Sequence, residues 1–189
     1  MENRIQELKN ELRKVMTLDT IFVCIGTMNS TLDSLGPRVG EMLDKAGVPV
    51  CGTPKSPYHA TTYKKQNEYL NKYYKHSNKI AIDACCCAKE YKLYKAKLSR
   101  GSISPGAGVG KRIPSIGDYA LRAYLSMDSE FYLLFDSNLR LSGMYDIKMK
   151  HLNELTNLIA NAIIEVYREL QDWPQIEKLD FKQVEDRYI

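Results

Sequence analysis

Two short, uninterrupted apolar runs constrain the fold more than any other feature of the sequence. Ile21 to Ile25 reads IFVCI and Lys79 to Asp83 reads KIAID. A strand with one face in water alternates apolar and polar residues, whereas a continuous run suits a strand covered on both faces. Such strands make up parallel sheets with helices layered against them. The segments between and around the runs supply the helices. Ile5, Leu8, Leu12 and Val15 recur at helical spacing, which predicts an amphipathic helix over 2–16. Further helices are expected from Gly36 to Ala46, with Pro37 tolerated in the first turn, from Thr61 to Lys75, and from Ile147 to Leu170. Val48 to Cys51 and Tyr91 to Leu98 read as additional strands, while Tyr119 to Leu125 and Phe131 to Phe135 fit either strand or helix. Gly52 to Ala60, with two prolines, and the Gly-, Pro- and Ser-rich Gly101 to Gly117 are expected to be irregular. The whole reads as one α/β domain over 1–189: the amphipathic helix 2–16, a main body 20–171 and a polar tail 172–189.

Several classes are excluded. At 189 residues the chain can bury roughly 70% of its unfolded surface, so it needs no metal or disulfide staples to fold. Lys and Arg exceed Asp and Glu by only 27 to 23, too weak a basic balance to imply direct nucleic-acid binding. No stretch is long and apolar enough to span a membrane, and the charged start MENRIQELKNELRKVM is unlike a signal peptide. The five cysteines, three of them consecutive at Cys85, Cys86 and Cys87, suit reduced thiols in the cytoplasm rather than a disulfide framework.

In parallel sheets, ligands bind outside the carboxyl ends of the strands. Asp33 follows the first apolar run and its polar loop, and Asp83 closes the second. Two carboxylates that meet there suppress each other's ionisation, so one can hold a proton while the other acts as a base. Spacing alone leaves simpler roles open: Asp33 as a helix cap and Asp83 as a strand-end acceptor for backbone amides. The loop SPGAGVGK carries Gly106, Gly108, Gly110 and Lys111. It has one residue too few between Gly106 and Gly110 for a Walker loop, and no helix start for a dinucleotide fingerprint. His59, His76 and His151 lack zinc-ligand spacing. Cys85 and His59 admit a thiol nucleophile, though a cysteine there also serves as a small buried hydrophobe. Lysines interleave with Tyr63, Tyr69, Tyr73 and Tyr74, which suits base stacking or an ordinary solvated helix face.

Four ordered blocks carry a resemblance: VCIGTMNSTLDSLGPRVG (Val23 to Gly40), CGTPKSPYHA (Cys51 to Ala60), IAIDACC (Ile80 to Cys86) and ISPGAGVGKRIPSIGDYAL (Ile103 to Leu121). Over roughly residues 20–165 the chain resembles the YyaC-type sporulation proteins of endospore-forming Firmicutes. These are similar in turn to the spore germination protease, which degrades small acid-soluble spore proteins, and more remotely to hydrogenase-maturation endopeptidases. The resemblance implies a three-layer α/β/α sandwich with a mostly parallel, phosphorylase/hydrolase-like sheet. It also implies a cytoplasmic role in the sporulating cell or spore. Asp33 and Asp83 match the two aspartates assigned to the protease's active site. The expected reaction is aspartate-assisted peptide hydrolysis, with backbone N–H groups of Thr27, Asn29 and Ser30 or of Gly106, Gly108 and Gly110 facing the oxyanion. His59, Cys85 and Lys111 are expected to line the site. The hydrogenase-maturation enzymes hold a metal with an acidic pair and a histidine; no histidine occupies the loop after Tyr91 to Leu98, where the third ligand would fall, so no cofactor is expected and a divalent metal is left open. A peptide or protein substrate is expected, possible self-association is left open, and a silent partner-binding protein of the same fold is the alternative.

Overall fold

The computed structural model describes residues 2–105, 113–127 and 142–185. Four helices and five strands are formed among them: α1 (Glu2–Leu12), β1 (Ile21–Cys24), α2 (Leu35–Lys45), β2 (Val50–Cys51), α3 (Tyr63–Tyr73), β3 (Lys79–Cys87), β4 (Ala96–Arg100), β5 (Tyr119–Met127) and α4 (Ser142–Glu185). The strands make one sheet in the order β2-β1-β3-β5-β4. Every pairing is parallel except β4 with β5. The expected α/β class with a mostly parallel sheet is therefore observed.

The apolar runs behave as their composition demands. All four β1 side chains are buried, because both faces of the strand are covered. On one face Phe22, Cys24, Ile80, Ile82, Leu121 and Leu125 pack under α1, α2 and α4, whose own contribution includes Leu12, Leu35, Val39, Leu152, Ile159 and Ile163. On the other face Ile21, Val23, Ile25, Ala81 and Ala120 pack against Tyr58, Leu70 of α3 and Ile103. Each large apolar side chain fully removed from water stabilises by about 1.5–3 kcal/mol, so the two-sided cover of β1 and β3 dominates the core. Among the described residues no helix is long and apolar enough to cross a membrane.

Among the described residues, the second face is covered over only part of the sheet, and Asp83 and Cys85 are only half-buried. Cys24 of β1 pairs with Ile82 of β3, and Ile25 N–H still donates to Ile82 O at 2.8 Å, but β3 and β5 run on together to Cys87 and Met127. This overrun builds a ledge beyond the end of β1.

Several boundaries differ from expectation. Helix α1 ends at Leu12, followed by a turn. The segment expected as a strand from Tyr91 to Leu98 instead starts with a 3-10 turn at Glu90–Lys92, and the strand is displaced to Ala96–Arg100. The cause is Tyr94, at φ 57°, whose N–H donates to Tyr124 O at 2.7 Å and whose ring stacks on His151 at 3.7 Å. A left-handed residue cannot continue a strand. Tyr119 to Leu125 resolves as strand. Helix α4 begins before Ile147 and runs to Glu185, past Asp172, where a polar tail is expected from sequence. Phe131 to Phe135 lies outside the described residues.

Candidate active site

Asp83 sits within β3, four residues before its end, and not at its terminus as the sequence suggests. The reason is the overrun: relative to β1, Asp83 lies one residue past the last rung, so it still occupies the rim above Ile25. Asp33 reaches the same rim from the 3-10 turn Leu32–Ser34 that leads into α2. Ser34, not Asp33, holds the α2 cap position, so the capping role does not account for Asp33.

Two glycines allow this approach. Gly26 turns the chain out of β1 at φ +135°, and a Cβ on it would lie 1.9 Å from the Asp33 carbonyl oxygen. A Cβ on Gly36 would lie 1.9 Å from the Ile25 carbonyl oxygen. Only glycine lets α2 sit this close to β1 and deliver Asp33 to the strand end.

The two carboxyls are electrostatically coupled. Burial, and then the charge of Asp33, push Asp83 well above the ordinary carboxyl range; the Ala84 N–H and Arg122 oppose this. Burial also raises Asp33, while the Thr27 N–H and His59 draw it back down. Desolvation and a like charge are the two conditions that make an acidic pair share one proton. Both residues are half-buried and reachable by solvent.

The neighbours are placed by recognisable local structure. His59 lies in the loop after β2, where the Ile25–Tyr58 bridge holds it beside β1. The Thr61 N–H donates to His59 Nδ1 at 3.3 Å, which puts the proton of a neutral imidazole on Nε2. Cys85 shares the face of Asp83, two residues on. Burial and then Asp83 push its thiol up to about 12, so it is protonated at neutral pH and poor as a nucleophile. Thr27 is half-buried, with Asn29 and Ser30 exposed. The Thr27 N–H donates to Asp33 O at 3.2 Å and the Asn29 N–H to Thr27 Oγ1 at 3.3 Å, so these two donors are engaged within the loop. Gly106, Gly108, Gly110 and Lys111 lie outside the described residues.

One charged group at the rim has no place in the sequence reading. Arg122 of β5 is the register partner of Asp83. Its guanidinium donates from Nη1 to Ser99 Oγ at 3.0 Å and from Nη2 to Ser102 O at 3.2 Å. The available signal is its charge, the one such residue in the apolar segment YALRAYLSM. His151 lies elsewhere: it stacks on Tyr94 and its Nδ1 is 3.0 Å from Glu154 Oε2. Among the described residues no three His, Cys, Asp or Glu side chains converge closely enough to hold a metal ion. The donor set that the remoter resemblance implies is not assembled in them.

Fold and rim together define an α/β protein with a coupled carboxyl pair at the carboxyl edge of a mostly parallel sheet. Residues 1–163 match the family described as "Protein of unknown function (DUF1256)", and the chain belongs to that family. It is similar to the "Uncharacterized protein YyaC" of Bacillus subtilis (strain 168), at 34% identity over 139 residues, covering 71% of this chain and 67% of the relative. The YyaC likeness expected from the four blocks is thus found.

Proposed function

We propose that the protein is a peptidase of the germination-protease type, acting in the cytoplasm of the sporulating cell or spore on a peptide or protein substrate, with small acid-soluble spore proteins as the first candidates. The observation that carries this reading is the coupling of Asp33 and Asp83, two half-buried carboxyls whose ionisation is opposed by burial and, at Asp83, by the partner's charge. Environments that separate two carboxyls in this way assign acid and base. Asp33, raised by burial but drawn back down by the Thr27 N–H and His59, is the base. Asp83, the more strongly raised, carries the proton. Asp33 takes a proton from a water as its oxygen bonds to the scissile carbonyl carbon, and the carbonyl π pair moves to the oxygen. As the tetrahedral species collapses, the C–N bond breaks and the Asp83 proton passes to the leaving nitrogen.

A pair sharing one proton works only while one proton is present, so cleavage should follow a bell-shaped pH profile. The upward shifts of both carboxyls move both limbs to higher pH, the basic limb more than the acidic one. Purified protein incubated with small acid-soluble spore proteins, read by intact mass, should give defined fragments. Asp33→Asn and Asp83→Asn should each lose at least about a hundredfold in rate, the scale of an acid–base contribution, with unchanged circular dichroism. Fragments from both variants, or intact substrate with wild type, would sink the peptidase reading. In the second reading, the exposed Met28, Asn29 and Ser30 at the rim serve a peptide-binding protein without turnover. Tight substrate binding with no cleavage at any pH would favour it.

A further inference from the structure

We propose that Arg122 creates an anion-binding position beside the carboxyl pair and there receives the oxygen on which negative charge develops during carbonyl attack. This rests on the peptidase reading only for the identity of that oxygen. Asp83, Arg122 and Lys97 form one row across β3, β5 and β4. Register partners in a sheet present their side chains on the same face, so Arg122 stands beside Asp83 on the ledge beyond β1.

Its surroundings are those of a prepared cation. Arg122 is half-buried. Ser99 Oγ and Ser102 O hold it from the β4 side, and β3, with Asp83, lies on the other side of β5. A guanidinium has five N–H donors in a planar fork, and these two bonds use two of them. Among the described residues no carboxylate closes an ion pair with it. A half-buried arginine that is fixed on one edge and lacks a bonded anion suits a planar or tetrahedral oxyanion. Of the loop donors expected to face that oxygen, the Thr27 and Asn29 N–H groups are already engaged within their own loop. When the scissile carbonyl is attacked, its oxygen gains the π pair, and a fixed guanidinium stabilises that charge without reorganising.

The test uses the full chain, 15N-labelled at arginine, and inorganic phosphate as the tetrahedral oxyanion. The Arg122 Nε–H resonance, assigned by its loss in Arg122→Lys, should shift saturably with phosphate. Arg122→Gln should weaken phosphate binding about tenfold or more, while Arg122→Lys, which keeps the charge but not the fork, should recover part of it. With spore proteins as substrate, Arg122→Gln should lower kcat by about a hundredfold or more, the cost of losing one oxyanion donor, and leave KM within about threefold. No saturable shift in the wild type, or equal phosphate affinity in Arg122→Gln, overturns the inference. Undiminished cleavage by Arg122→Gln also overturns it and leaves the peptidase reading standing. Phosphate binding through Arg122 in a wild type that cuts nothing defeats the peptidase reading and leaves the anion position standing.

Discussion

At the scale of single residues, the site works by unequal environments. Asp33 and Asp83 are the same side chain and burial raises both, but the charge of Asp33 adds to the burial of Asp83 and raises it further, while the Thr27 N–H and His59 draw Asp33 back down. Holding Asp83 protonated has a thermodynamic cost at neutral pH. Its folded value lies above that of the unfolded chain, so between the two the folded state binds more protons. Stability therefore falls as pH rises from the ordinary carboxyl range through the folded value of Asp83, and each unit of separation corresponds to about 1.4 kcal/mol. Asp83→Asn removes this term. The variant should be more stable than wild type at pH 7–8 and lose that advantage near pH 4, as read by urea unfolding across that range. A wild-type stability that rises with pH relative to the variant would contradict this. Cys85 shows the same physics in a thiol: the burial that raises Asp83 also keeps Cys85 from ionising.

At the scale of elements, the site depends on how closely α2 approaches β1. Gly36 permits contact with the Ile25 carbonyl, and the turn at Leu32–Ser34 then carries Asp33 to the rim. Gly36→Ala places a methyl group where backbone already stands. It should destabilise the protein by about 1–3 kcal/mol or more and reduce cleavage beyond what stability explains, because Asp33 moves with α2. Thermal melting and activity of the folded fraction check both. Elements whose role shows in local composition were legible in the sequence: IFVCI and KIAID as buried strands, the N-terminal helix from its apolar stripe (read as 2–16, observed as Glu2–Leu12), and α2 with Pro37 in its first turn. Others depend on tertiary contacts that no local pattern records. The shift of β4 to Ala96–Arg100 follows from Tyr94, whose left-handed backbone is held by Tyr124 and His151. The extension of β3 through Cys87 follows from pairing with β5. KIAID reads as ending at Asp83 only because the residues after it are unusual for a strand. Arg122 is not legible for a related reason: a charge inside an apolar segment signals a site only once its register partner is known to be Asp83.

At the scale of the whole molecule, the sheet order brings distant parts of the chain to one ledge. β1 delivers Asp33 through its following turn, the loop after β2 delivers His59, β3 delivers Asp83 and β5 delivers Arg122. The opposite layer is held by α1 against α4, where Lys9 pairs with Glu165 at 2.6 Å and Arg13 with Glu169 at 2.8 Å over buried Leu8 and Leu12. Among the described residues α1 and α4 contribute no group to the site; their packing fixes the sheet on which the ledge is built. The central claim is that this topology makes Asp33 and Asp83 one titrating pair. The most direct measurement is a pH titration of protein labelled with 13C at the aspartate carboxyls, with Asp83 assigned by Asp83→Asn and the titration repeated in Asp33→Asn. Asp83 should titrate well above the ordinary carboxyl range in the wild type and move down when Asp33 loses its charge. An Asp83 that titrates as an ordinary carboxyl, or one indifferent to Asp33→Asn, would contradict the account.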